Sequence, residues 1–331
     1  MIRHRLAAAM ALCLAAGWGV CAVRAAQSPL ADAQRDYNAG RYNRAVDALS
    51  SAIAKSPDDA SLHFLLGQSY YELRQFTRAI GSFERAVQLS PKQSDYHDWL
   101  GKAYGRKAEE SVFLSGISWA RKTHREFEIA VELNPQNLEA QRDLIRFEMD
   151  APGIAGGGDD KALKHIEALE KIDSLEGQLA RGEFFATKKR FPEADAVFTK
   201  ILESNSDRVG VYLEAGDYYY RDRPNADKLA KAVAMAEHLD ADDRRLKFYK
   251  GILLVMQGKS QAEAELSLKS YLGTVPENSD LPPQAAAREW LGRLYEAQGR
   301  FSEAAEQYRL SLSLDPHNKA VEEELKKVRA R

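Results

Sequence analysis

Six of the seven histidines, several carboxylate pairs and one glycine-rich loop are the residues whose types could do chemistry. His63, His97, His124, His165, His238 and His317 fall singly along the chain, with no HExxH or related pair, so ligation of a metal at helical spacing is not expected. A helix-surface or groove position is the expected role of each. Glu109 with Glu110, and Asp242 with Asp243, sit in charged, turn-like stretches where carboxylates are ordinarily hydrated. The glycines of APGIAGGGDDK, Ala151 to Lys161, invite comparison with a phosphate cradle, but no strand-like run leads into them and no Gly-Lys-Ser or Gly-Lys-Thr closes them. The sequence predicts instead a turn through positive φ, with Asp159 or Asp160 capping the next helix. A small-ligand or catalytic use of residues 153–161 is kept as the alternative. No catalytic, cofactor-binding or metal-ligating residue is assigned, and the chain is read as non-enzymatic.

Composition bounds the partners. The first 25 residues place Arg3, His4 and Arg5 before an uncharged, alanine-rich run that ends in small residues, the layout of a secretory signal peptide cleaved after Ala25. The expected location is therefore outside the cytoplasm, most simply the periplasm; a retained leader would anchor the chain in the inner membrane. Both cysteines, Cys13 and Cys21, fall in the leader, so the mature chain must be held by packing and not by disulfides. Removing the leader takes away three arginines and no carboxylate, shifting the formal charge from −2 to −5. That balance argues against nucleic acid, which calls for a basic stripe.

The elements that must position these residues read as paired amphipathic helices. In the stretch Arg288 to Pro316, Leu291, Gly292 and Tyr295 share one helical face, and Ala304, Tyr308 and Ser311 recur on a second. Gly299 separates the two faces and Pro316 stops the second. Small residues at 292 and 304 let two backbones approach, with tyrosines filling the space beside them. The order Leu-Gly-x2-Tyr, Ala-x3-Tyr, Pro resembles the tetratricopeptide repeat, a helical hairpin of roughly 34 residues. Leu66, Gly67, Tyr70 and Leu100, Gly101, Tyr104 repeat the opening marks 34 residues apart.

The resemblance, to tetratricopeptide proteins of an exported bacterial type, implies an all-α, right-handed α-solenoid of about eight hairpins, at 29–57, 60–91, 94–135, 138–173, 175–206, 209–240, 244–274 and 285–316, with a capping helix over 317–331 marked by Ala320, Leu325 and Val328. Two units depart from the pattern. The third carries ten extra residues before Phe127, which predict a protruding hairpin turning at Gly116, with an apolar tip of Val112, Phe113, Leu114, Ile117 and Trp119. Those residues either cover the next repeat or meet a partner or membrane. The fourth expands its turn into the glycine loop. In the seventh, Ala262 or Glu263 is expected at the small position of the second helix.

Family groove positions, carried over to this sequence, imply a concave lining of Gln34, Tyr37 and Asn38, then Phe64, Gln68, Tyr71 and Glu72, then Asp98, Lys102 and Arg106, and further along Glu183, Leu213, Asp217, Tyr220, Arg221, Glu289, Arg293 and Glu296. Tyr219 is expected in the core and Tyr220 on the concave side. The Lys and Asn of the chaperone-type carboxylate clamp are missing, since Leu30 and Gln34, Phe64 and Gln68, and Asp98 and Lys102 hold those places. The implied function is a non-catalytic scaffold of the cell envelope that holds a peptide or partner helix in its groove. A membrane-tethered assembly subunit is the alternative, with membrane contact only if the leader is kept.

Overall fold

The computed structural model describes residues 29–274 and 282–331, and for Phe113 the backbone alone. The leader and most of the connector Pro276 to Pro283 lie outside these residues. Among the described residues there are seventeen α-helices and no strand, arranged as an α-solenoid. In sequence order α1 (Pro29–Asn38) packs on α2 (Tyr42–Ile53), α3 (Ala60–Glu72) on α4 (Phe76–Leu89), and α5 (Ser94–Glu109) on α6 (Phe113–Leu133). The pairs continue with α7 (Leu138–Asp150) and α8 (Asp159–Ile172), α9 (Ser174–Thr187) and α10 (Phe191–Leu202), and α11 (Val209–Arg221) and α12 (Ala226–Leu239). They end with α13 (Leu246–Gln257) and α14 (Gln261–Thr274), and α15 (Gln284–Ala297) and α16 (Phe301–Leu314), on which α17 (Lys319–Arg329) lies as a cap. No helix among the described residues is long and apolar enough to cross a membrane.

One packing device recurs. A glycine on the first helix of a pair receives a ring from the second: a Cβ added to Gly67 would lie 2.5 Å from Phe83, and one added to Gly292 would lie 2.6 Å from Tyr308. Gly101 with Phe127 and Gly182 with Phe198 repeat it. The rings and small residues of this seam are fully buried, which is where the apolar burial that stabilises each hairpin is concentrated. In the seventh pair Leu268 takes the ring's place against Gly251, and the buried small residue is Ala264, neither Ala262 nor Glu263. Side-chain caps fix helix starts at Asp59, Asn137, Asp173, Asn225 and Asn318. On α17 the buried stripe is Val321, Leu325 and Val328, one residue beyond the expected Ala320, which is exposed.

The long hairpin differs from the expectation. The α5 helix has 16 residues and α6 has 21, against 13 and 14 in α3 and α4, so three extra residues lengthen the first helix and seven the second. The turn is at Glu110 to Val112, and Gly116 lies inside the first turn of α6 with its N–H bonded to the Val112 carbonyl. A side chain at 116 would press on the Ala108 carbonyl at 3.2 Å, so this glycine serves close approach of the two helices and not the reversal itself.

The concave groove as candidate functional site

The groove is lined almost wholly by the odd-numbered helices, and it has two adjoining chambers. The first, of about 890 Å³, runs from Tyr71 and Trp99 past α7 and α9 to Asp217, Arg221 and Asp222. Its walls carry eight carboxylates against four cations, Lys102, Arg142, Arg146 and Arg221. Two of those cations act as hubs. The Lys102 ammonium lies 3.1 Å from Asp98 and 3.0 Å from Asp143, pairs also with Glu139, and sits 4.8 Å above the Trp99 ring. Arg142 donates to Glu214 at 2.9 Å and to Glu176 and Glu183 at 3.3 Å, which ties α7 to α11, two hairpins away in sequence.

Burial sets the protonation of this wall. Asp98 is only 2% exposed, and its carboxyl is pushed up to about 7 because loss of water outweighs the attraction of Lys102. Asp217 is raised to about 6 by burial, although it accepts a hydrogen bond from the Tyr249 hydroxyl at 2.8 Å. Burial also raises Glu176 and Asp222. For Lys102, burial opposes the charge, but Asp143, Asp98 and Glu139 outweigh it and hold the ammonium more firmly protonated than an ordinary lysine. Arg142 is held in the same way by Glu214, Glu183 and Glu176. Asp98, Glu139 and Asp143 offer oxygens within 4.8 Å of one another, a set that could hold a metal ion, but the Lys102 ammonium already lies among them.

The second chamber, of about 750 Å³, is formed where the coiling stack brings α3 and α5 opposite α15 and the start of α17. Tyr71, Phe76, Tyr220 and Trp290 supply aromatic walls, and Arg74, Arg106, Arg221 and Arg293 face it with Glu72, Glu289 and Asp315. Arg293 stacks over Trp290 at 4.6 Å and Arg106 over Phe76 at 5.5 Å. Tyr71 and Arg221 border both chambers.

Of the residues expected in the groove, Tyr71, Lys102, Asp217 and Arg221 line the first chamber, with Glu183, and Tyr71, Glu72, Arg106, Tyr220, Arg221, Glu289 and Arg293 line the second. Others are placed differently. Asp98 is buried behind Lys102 and acts through it. Tyr220 is 5% exposed, wedged between Phe248, Tyr249 and Trp290, so it forms wall and not an accessible anchor. Tyr218 and Tyr219 are buried as well, because α11 packs against α9, α10, α12 and α13. Leu213 is core. Tyr37 and Phe64 line neither chamber: Tyr37 packs edge-on to Tyr42, and Phe64 stacks on Tyr96 at 4.5 Å. Gln34 bonds Asn38, Gln68 is half-buried outside both chambers, and Glu296 accepts from the Tyr308 hydroxyl. At the long hairpin Val112 and Leu114 are 80% and 79% exposed, Ile117 is half-buried, and Trp119 lies against Tyr104 with Lys122 above it. The Phe113 side chain lies outside the described residues.

Sequence reasoning missed the centre of the groove: Arg142, Asp143 and Arg146 on α7, Glu176 on α9 and Glu214 on α11. The fourth unit has Ile145 where others have the seam glycine, so its register was not readable. Sequence reasoning also missed a histidine cluster. His124 on α6 and His165 on α8 both contact Glu148 on α7, at 3.3 and 2.7 Å, so these histidines converge and do not fall singly.

Glu148 is 1% exposed, and although burial opposes its charge the two histidines hold its carboxyl below the usual range.

The glycine loop packs over this cluster. Gly156 and Gly158 have positive φ as expected, and the Gly156 backbone rests on the His124 ring. Neither Asp159 nor Asp160 caps α8; Gly158 holds the cap position and the two aspartates occupy the first turn, where the positive end of the helix dipole favours their charge. The amides of Gly156, Gly157 and Gly158 bond to Gly153, Pro152 and Glu148 carbonyls, and Lys161 bonds back to the Gly156 carbonyl. These donors are spent inside the loop and are not turned toward a phosphate.

Residues 30–94 and 285–318 match tetratricopeptide repeat family models. A comparison with curated proteins yields no match. Among solved structures, a tetratricopeptide repeat protein from Parabacteroides merdae is 14% identical, aligning over 91% of this chain and 97% of its own with a TM-score of 0.45. A thermophilic tetratricopeptide repeat protein of Thermus thermophilus is 14% identical over 92% and 98% of the two chains with a TM-score of 0.34. MamA is 21% identical over 52% of this chain and 92% of its own, with a TM-score of 0.41.

Proposed function

We propose that this chain, a tetratricopeptide repeat protein, is a non-catalytic scaffold that holds a peptide or partner helix of another protein along its concave groove. Tetratricopeptide domains bind protein or peptide partners in general. The observation that carries the reading here is the continuous two-chamber groove, walled by aromatic rings and by charged side chains on helices that pack against one another. Lys102 and Arg142 hold their protons more tightly than free side chains, which suits them to fixing charge and not to proton transfer near neutrality. The leader-like residues 1–25 support an exported, periplasmic location. N-terminal sequencing of the cellular protein tests that location: a first residue near Ala26 supports it, and an intact Met1 points to a chain tethered to the inner membrane.

The groove itself is tested by replacing Tyr71 and Arg221, the two residues shared by the chambers, with alanine. Partner recovery after crosslinking in cells should fall while the circular dichroism spectrum is unchanged. Undiminished recovery would place the partner elsewhere, with the exposed Val112 and Leu114 as the next surface to replace.

A further inference from the structure

The two chambers differ in charge as well as in place. The first has eight carboxylates to four cations, and the second has three carboxylates to four arginines. Neither imbalance is cancelled by pairing. In the first chamber Asp150 and Asp222 have no ion pair among the described residues. In the second, Arg74 and Arg221 have no carboxylate within ion-pair distance among the described residues; Arg74 rests instead against the Phe76 ring at 5.6 Å. We propose that the groove holds a partner segment of asymmetric charge in one charge orientation, with lysine or arginine side chains in the first chamber and an acidic stretch among the arginines of the second.

This inference rests on the groove reading above and adds the chemistry of what is held. A cationic side chain in the first chamber would supply positive charge to a wall whose carboxylates are short of it. Burial raises the proton affinity of Asp217, Glu176 and Asp222, and a cation placed beside them would favour their charged forms. A carboxylate in the second chamber would meet planar guanidiniums already positioned over rings, the arrangement suited to bidentate recognition. The two sites are contiguous through Tyr71 and Arg221, so one segment can occupy both. Reversing its charges would put like charges together at both ends, which is the source of the charge orientation.

The test uses the purified chain and fluorescent synthetic peptides of identical composition. Two have lysines grouped at one end and glutamates at the other, in opposite chain directions, and the third alternates them. Either grouped peptide should bind about ten-fold more tightly than the alternating one, with an affinity that falls as salt is raised. Asp150→Asn with Asp222→Asn, and separately Arg74→Gln with Arg221→Gln, should each erase that preference. Photo-crosslinkers on the lysine end of either grouped peptide should label α7 to α11, and those on the glutamate end should label α3, α5 and α15. Equal binding of all three peptides with crosslinks in the groove would overturn the charge reading while leaving the groove as the site. No binding, or crosslinks confined to the even-numbered outer helices, would overturn both.

Discussion

Replacing Asp98 with asparagine isolates the cost of a buried charge at the groove wall. The folded-state pKa of Asp98 is raised from the model-peptide value of 3.8 to about 7, so folding takes up a proton at intermediate pH. The sign follows: Asp98 lets the fold keep its full stability below about pH 4, stability falls as pH rises through the window up to 7, and the loss is complete above it. Each pH unit inside the window costs about 1.4 kcal/mol, so between pH 5 and pH 7 the native protein should lose about 2–3 kcal/mol through this group. Asparagine cannot ionise, can accept from Lys102 through its oxygen, and can donate to the Asp143 or Glu139 carboxylate beside it. The stability of Asp98→Asn relative to the native chain should therefore rise by about 2–3 kcal/mol from pH 5 to pH 7 and then stay level. Urea denaturation at several pH values, followed by the fluorescence of Trp99 under Lys102, measures it. A difference that does not change with pH would show that Asp98 stays ionised throughout, with Lys102 compensating it fully.

Other expectations follow from the same contacts. Glu148→Ala leaves His124 and His165 without their shared acceptor and should cost about 1–3 kcal/mol, read by denaturation. In the native chain the stability due to Glu148 should be present above its ordinary value of 4.5 and be lost as pH falls through its lowered folded value. Gly292→Ala should destabilise by about 1–3 kcal/mol because its Cβ meets Tyr308, whereas Gly81→Ala, also in a helix but with open space around it, should stabilise by about 1 kcal/mol. Equal effects of the two would refute the glycine-and-ring seam. Arg74 has a φ of 57°, so Arg74→Gly should leave stability level or raise it by about 1 kcal/mol while weakening partner binding at the second chamber.

The helical pairs were readable in the sequence because their seam has a fixed signature: a glycine or alanine on one face and a ring sixteen residues on, as at Gly67 with Phe83 and Gly292 with Tyr308. Where that signature thins, register slips. The long hairpin turns four residues before Gly116 because helix-compatible residues flank both positions and only the approach of Ala108 distinguishes them. The groove was readable in part. Tyr71, Lys102 and Arg221 lie at regular offsets from their seam residues, but Asp98 and Tyr220 have the right offset and the wrong depth, because neighbouring helices cover them. Arg142 with Glu214, and His124 with Glu148 and His165, depend on how far the stack curls and how the glycine loop folds back, and no periodicity along one helix encodes either.

The central claim is that the inner surface of the coil is where a partner lies. Photo-crosslinking residues placed at Tyr71, Arg146 and Arg293 on the inner helices, and at Arg309 on the outer helix α16, test it in living cells. The groove reading predicts one and the same protein crosslinked from all three inner positions and not from Arg309. Capture of that protein from Arg309 with none from the inner three would contradict it.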